Sequence, residues 1–494
     1  MILDELFDSL GLPPLMEKVD KVIDGQWMAT LGVILAGWLL YDIFYNLYLS
    51  PLANFPGPKL WAVLRIPYQW SIMSGQSHRK MLEMHNRYGA VLRVGPDELS
   101  FNSPQAFQDI YRARPGRPQF QKDPKFYGSP LNAVRRSIVG GLDDKTHSRH
   151  RRLLANAFSE RALREQEATV IHYSDLLVRR LRERTALDAS THTAMADIKE
   201  WFNFIAFDVT GDLLFAETFD CLEESKLHPW IALIFAFVKG ITLAGVINQF
   251  TLLRKMQEVF LPEKLRKQML HHMDLSSEKT DRRLGKGIGR PDFIISIAGS
   301  ETSATTLSGC VYFLTKHPQT LQRLNEEIRA AFTNDTDIKA SVCVNLPYLN
   351  AVIEETLRLY PPVAASLPRI VPGGGDVIDG YAVPGETIVS THHYASYHAD
   401  ANFALAEDFI PERWLGTDPR FTEDKRSVLQ PFSLGQRGCL GKNLAYMESR
   451  LILTKLLFNF DIELCLESQD WIVQEMYVNW DKPPLYVMLK DRWA

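Results

Sequence analysis

A glycine-rich loop that opens onto a helix and carries one cysteine constrains this chain most: Pro431 to Phe458 reads PFSLGQRGCLGKNLAYMESRLILTKLLF. After Gly441 the apolar residues Leu444, Met447, Leu451 and Phe458 recur at helical spacing. Cys439 therefore sits at a helix N-terminus, where the helix dipole and free backbone N–H groups favour the anion and lower a thiol's pKa. Gly435, Gly438 and Gly441 let the backbone fold closely around the sulfur. Arg437 places a fixed cation nearby, suited to a carboxylate. A buried structural cysteine in a Gly-rich turn is the competing reading. Five specified positions (Phe432, Gly435, Arg437, Cys439 and Gly441) make it a poor one.

The other cysteines, Cys221, Cys310, Cys343 and Cys465, lie far apart, with no C-x-x-C pair and no histidine cluster at zinc spacing. That pattern argues against a disulfide scaffold or structural zinc and suits a reducing compartment. Lys+Arg total 55 against 59 Asp+Glu, so no basic face points to a nucleic-acid partner. With 494 residues, 46% of them hydrophobic, and no linker or repeat after residue 50, one large catalytic unit over 51–494 is expected behind an N-terminal segment, 1–50.

Within that segment, Trp27 to Tyr48 reads WMATLGVILAGWLLYDIFYNLY, broken by one charge, Asp42. As a helix it would span roughly 33 Å, about a bilayer's hydrocarbon thickness. Its tryptophans and tyrosines suit membrane interfaces. The preceding residues are acidic, while Lys59, Arg65, Arg79 and Lys80 follow, which favours a single-pass anchor with the body in the cytosol. A buried helix of a soluble protein is the alternative. The connector PLANFPGPKL (51–60), with three prolines, reads as a short stiff hinge.

The loop matches F-x-x-G-x-R-x-C-x-G without a departure, and so resembles the haem-binding loop of the cytochrome P-450 family. The resemblance covers nearly the whole chain after the connector, and three further motifs occur in family order. Glu355-Thr-Leu-Arg358, on its own an ordinary surface ion pair, is followed at the family's place by Arg413 in FIPERW. The resemblance implies that these three form a buried structural network that positions the thiolate loop. Ala298-Gly-Ser-Glu-Thr302 lies in a predicted helix, where a glycine costs about 1 kcal/mol against alanine. In the family this turn widens to admit dioxygen, and an acid–alcohol pair, here Glu301 and Thr302, relays protons. His147-x-x-x-Arg151 stands where the family usually has Trp-x-x-x-Arg reaching the haem propionates; His147 is a departure that keeps a donor. Arg369 matches another propionate ligand, although a plain surface arginine explains it too.

The resemblance implies a mainly α fold with smaller β-sheets. It also implies a haem b cofactor with Cys439 as axial thiolate, and hydroxylation of a lipophilic small molecule with dioxygen and electrons from NADPH. Those electrons come through a separate NADPH–cytochrome P-450 reductase, since no G-x-G-x-x-G motif occurs here. An endoplasmic reticulum membrane is the expected location. The apolar stretch Trp230 to Phe250 reads as a substrate-access helix or as a core helix. THHYASYHADANF and the cysteine loop look most like fungal secondary-metabolism members of the isotrichodermin hydroxylase type. A haem-thiolate isomerase or dehydratase is the second class; retention of Glu301 and Thr302 argues against it. One departure is internal. Arg290-Pro-Asp-Phe293 runs directly into the oxygen-binding helix, which starts near Pro291, as if a few tens of residues were absent and the variant inactive.

Overall fold

The computed structural model describes residues 25–127, 138–228, 240, 242, 244–251, 253, 263, 267 and 293–494. All of Trp230–Lys239 and of Arg290–Asp292 lies outside them, and with them much of the expected access helix and the expected start of the oxygen-binding helix.

An apolar helix, α1 (Gly25–Phe44), passes into one π-helical turn, Tyr45–Leu49. Met28–Leu49 is long and apolar enough to cross a membrane, and its side chains are exposed, save the half-buried Asp42 and Leu47 and the buried Asn46 near its end. The uniform helix expected to Tyr48 thus changes character at Tyr45. Short helices α2 (Lys59–Val63) and α3 (Ile66–Met73) and the amphipathic α4 (Ser77–Tyr88) lead into the hairpin β1 (Val91–Gly95) and β2 (Glu98–Phe101).

Next come α5 (Pro104–Tyr111), the two-residue β3 (Gln121–Lys122) and α6 (Asp144–Ala155). Ser159 caps the long α7 (Glu160–Thr185), its hydroxyl accepting from Ala162 N–H at 3.3 Å. After β4 (Thr193–Asp197), α8 (Ile198–Phe215) is buried on nearly every side. It packs along α9 (Phe293–Lys316) as the chain's most extensive helix pair, which explains why neither shows one apolar stripe. The core continues through α10 (Pro347–Leu359).

Beyond it lie β5 (Arg369–Ile370), the hairpin β6 (Asp376–Ile378) and β7 (Tyr381–Val383), and β8 (Ile388–Thr391). The helix after the cysteine loop is α11 (Lys442–Asn459), followed by β9 (Phe460–Leu464), the pair β10 (Glu475–Met476) and β11 (Trp480–Asp481), and β12 (Tyr486–Asp491). The fold is therefore mainly helical with small sheets. One sheet runs β1-β2-β8-β5-β3, antiparallel except at β2–β8; another runs β4-β12-β9. The first sheet carries Lys122 and Arg369 on paired strands, and α9 and α11 pack on each other behind the cysteine loop.

Candidate functional site

The cysteine loop folds back on itself: Cys439 N–H donates to Phe432 O at 2.7 Å, and Gly438 N–H to Gly435 O at 3.1 Å. Gly435 has φ +72°, and a Cβ there would lie 2.3 Å from the Tyr111 carbonyl oxygen. Glycine alone lets the loop seat against the end of α5. Cys439 follows as an exposed side chain just before α11. Surrounding packing desolvates the sulfur and raises its pKa above the ordinary thiol value, against the backbone of Gly441 and the charges of Arg151 and Lys442. The lowered pKa expected from the helix terminus is thus corrected. Losing hydration costs a thiolate more than a few backbone dipoles return.

Cations converge beside the loop. Arg151, on α6, donates to Gly438 O at 2.7 Å. Arg437 donates to Gly141 O, Leu142 O and Asp144 Oδ1 at 2.7, 2.8 and 2.8 Å, while its buried Nε has no partner. Arg369 is buried, not a surface residue, and donates to Tyr127 Oη at 3.0 Å and Pro368 O at 3.1 Å. His147 is buried too. Burial, then the charges of Arg437, Lys122 and Arg151, lower its pKa to about 4 and hold it neutral.

Lys122 completes the group and was not anticipated from local sequence. It is buried, donates to Val139 O at 2.5 Å, and has its pKa lowered to about 6 by burial and then by Arg437 and Arg369. A lysine in a polar connection reads as solvated; the pairing of β3 with β5 brings it inside. Among the described residues, Asp144 is the carboxylate that acts on Lys122 and His147. Buried cations with so little compensation, beside an open thiol, fit a ligand bearing two carboxylates and a metal, as haem b does.

Across from the loop, α9 stays regularly α-helical through Ala298–Thr302, without the widened turn that the resemblance implied. A Cβ on Gly299 would make only ordinary contact with Thr210, at 3.5 Å. Thr302 Oγ1 donates to Ala298 O at 2.5 Å, and Thr305, Thr306 and Ser308 bond back to the preceding turn in the same way. Glu301 turns elsewhere, because adjacent helical residues point about 100° apart. Its buried carboxylate pairs with buried Lys482, which also donates to Thr305 Oγ1 at 2.6 Å; Glu301 Oε2 has no partner. Burial lowers the Lys482 pKa, against the pull of Glu301. The Glu301 and Thr302 side chains thus bond to different partners. Ser303 donates at 2.7 Å to Glu448 on α11, a second unanticipated residue, whose pKa burial raises to about 7.

Glu355, Arg358 and Arg413 meet, all fully buried. Arg358 donates through Nε and an η nitrogen to Glu355 at 2.9 and 2.8 Å, and Arg413 Nε does so at 2.9 Å. Trp414 and the Ile410 N–H fill the remaining carboxylate positions. Burial alone would raise the Glu355 pKa, but Arg358 and then Arg413 hold it below the ordinary carboxylate range. Further Arg358 bonds reach the Tyr397, Ala406 and Asp408 carbonyls, which lie on the chain leading to the cysteine loop.

The family model described as Cytochrome P450 matches residues 55–286 and 293–488. Cytochrome P450 monooxygenase astJ of Aspergillus oryzae is 40% identical over 481 residues, covering 92% of this chain and 95% of that protein. Averantin hydroxylase of Dothistroma septosporum is 39% identical over 505 residues, with 97% and 94% covered. Trichothecene C-15 hydroxylase of Fusarium sporotrichioides is 38% identical over 483 residues, with 92% and 96% covered.

Proposed function

This chain belongs to the cytochrome P450 family, and from that premise we propose that it hydroxylates a lipophilic small molecule of fungal secondary metabolism at a haem held by Cys439. Family membership makes it a hydroxylating haem-thiolate monooxygenase that receives electrons from a reductase. Haem, held by Cys439, would supply the oxidising chemistry with dioxygen, and the thiolate would give it electron density. The chain's residues do the rest. Cys439 gives the thiolate, its raised pKa being overcome when a cation bonds the sulfur. Lys122, Arg151, Arg369 and Arg437 hold the propionates, and His147, kept neutral, offers a ring N–H beside them.

Thr302 holds its hydroxyl over the open side of α9 and passes protons there, while the buried Glu301–Lys482 pair steadies the helix behind it. Glu355, Arg358 and Arg413 fix the chain that presents the cysteine loop. The reductase is the NADPH–cytochrome P450 type. Residues 1–50 anchor the 51–494 body to the endoplasmic reticulum membrane, single-pass and facing the cytosol; the long apolar α1 supports this.

The observation that carries this reading is the cysteine loop itself, an exposed Cys439 with Arg151 bonded to the loop and the buried Lys122 and Arg369 gathered about Arg437. Its test is the carbon monoxide complex of the reduced protein, whose Soret band should show the red shift of thiolate ligation. Cys439→Ala should abolish that band, and an unchanged spectrum in the variant ends the reading.

A second reading has an observation of its own. The family match breaks between residues 286 and 293, and the alignments to relatives run over a few tens more positions than this chain supplies. On that reading a segment before α9 is absent and the chain binds haem poorly. Haem occupancy of this chain, compared with a version carrying the relative's intervening segment, separates the two.

A further inference from the structure

Arg93, in the middle of β1, is buried, and its guanidinium is spent on the end of the apolar N-terminal helix. One η nitrogen donates to Asn46 O at 2.7 Å; the other donates to Asn46 Oδ1 and Ser50 Oγ at 3.3 Å each and to Pro96 O at 2.7 Å. Nε donates to Gly95 O at 3.2 Å. Burial lowers its pKa, and among the described residues its hydrogen-bond partners are all uncharged oxygens. A buried guanidinium without an anion is costly, and here carbonyl and hydroxyl dipoles alone offset it.

The backbone of the same residue holds the connector. Arg93 N–H donates to Pro56 O at 2.7 Å, and a Cβ on Gly57 would lie 2.5 Å from Arg93 O. Leu52 between them is buried in the core. The stretch expected to act as a stiff hinge is therefore docked in its middle, at Pro56 and Gly57, onto the same residue that holds Asn46 and Ser50 just before it. Asn46 lies within the π-helical turn and Ser50 caps its end, so these contacts give the helix end a fixed direction as it meets the body.

We propose that Arg93 is a latch that locks the membrane anchor to the catalytic body at one angle. The angle matters because α2, packed against both this turn and β1, and α3 beyond it carry or flank the exposed Leu60, Leu64, Ile66, Trp70 and Met73. At the locked angle these apolar side chains, joined to the anchor through the turn, enter the same bilayer. The inference rests on α1 being a membrane anchor.

The test uses full-length, haem-loaded protein in phosphatidylcholine–phosphatidylserine vesicles containing nitroxide lipids. A genetically encoded fluorescent amino acid replaces Leu64 in one protein and Gly37, within α1, in another. Both should be quenched. Arg93→Lys and Asn46→Ala should each cut quenching at 64 several-fold while leaving quenching at 37 and the haem spectrum unchanged. Equal quenching at 64 in both variants overturns the latch, as does a parent quenched at 37 but not at 64. No quenching at 37 in the parent would instead overturn the anchor reading. If Arg93→Lys fails to fold, Asn46→Ala decides alone.

Discussion

Lys122 and Arg369 stand directly opposite each other across the β3–β5 pair, both buried. Like charges so placed destabilise a sheet. Burial pushes the Lys122 pKa down to about 6 in the fold, against roughly 10.4 in an unfolded chain. Between those values the unfolded chain binds more protons, so this residue weakens the haem-free fold most at low pH, and the penalty fades as pH rises. A bound propionate reverses the sign by supplying the missing anion.

Lys122→Met should therefore raise the thermal stability of haem-free protein at neutral pH and speed haem transfer from the loaded protein to an apoglobin. Opposite effects on the two forms are the signature. A lysine serving only as packing would lower stability in both, and that outcome removes it from the propionate site.

How far the sequence could be read follows from such pairs. The cysteine loop, the helix behind it and the mainly helical class were legible, because each is written in local spacing around Cys439 or in a family-wide pattern. Glu355, Arg358 and Arg413 were nameable only through that pattern, since i,i+3 spacing alone reads as a surface pair. Lys122, Glu448, Lys482 and Arg93 were not legible. Each owes its role to a partner far along the chain, and a charged residue inside a polar stretch gives no local sign of burial. The expected fall in the Cys439 pKa failed for a related reason: desolvation depends on tertiary packing, whereas the helix dipole is visible in sequence.

Thr302 and Glu301 should separate on mutation, because they face different neighbours. Thr302→Ala should leave the haem spectrum intact and lower product formed per NADPH consumed, since the open hydroxyl is the group able to move a proton there. Lys482→Met should mainly destabilise the fold, by about 3–5 kcal/mol, by leaving the Glu301 carboxylate buried without its cation. A product ratio unchanged in Thr302→Ala would remove the relay role from this residue.

Glu448 carries a pH dependence of the opposite sign to that of Lys122. Its pKa is raised to about 7 in the fold, against about 4.3 unfolded, so the folded state holds the extra proton between those values. The stability it contributes is present below the lower value and is lost as pH rises through the upper one. Glu448→Gln keeps an acceptor for the Ser303 hydroxyl and cannot ionise. The variant should match the parent near pH 4 and exceed it above pH 7, by up to about 3 kcal/mol. Chemical denaturation across that range measures the gap, and a constant difference would assign Glu448 a charge-independent role.

The anchor should be removable at one boundary and not at another. Deleting residues 1–44 takes away α1 but leaves Asn46, Ser50 and the connector on Arg93. Deleting 1–50 takes away three of the acceptors that satisfy the buried guanidinium and opens the core beside Leu52. Leaving a buried charged donor unsatisfied costs about 1–3 kcal/mol or more, a large share of a domain's net stability. The shorter deletion should thus release haem-loaded protein into the soluble fraction with its thermal midpoint little changed. The longer one should be soluble only in low yield and unfold several degrees earlier. Centrifugation and thermal melts of the two truncations side by side make the comparison, and equal midpoints would show that the turn at Tyr45–Leu49 contributes nothing to holding the body together.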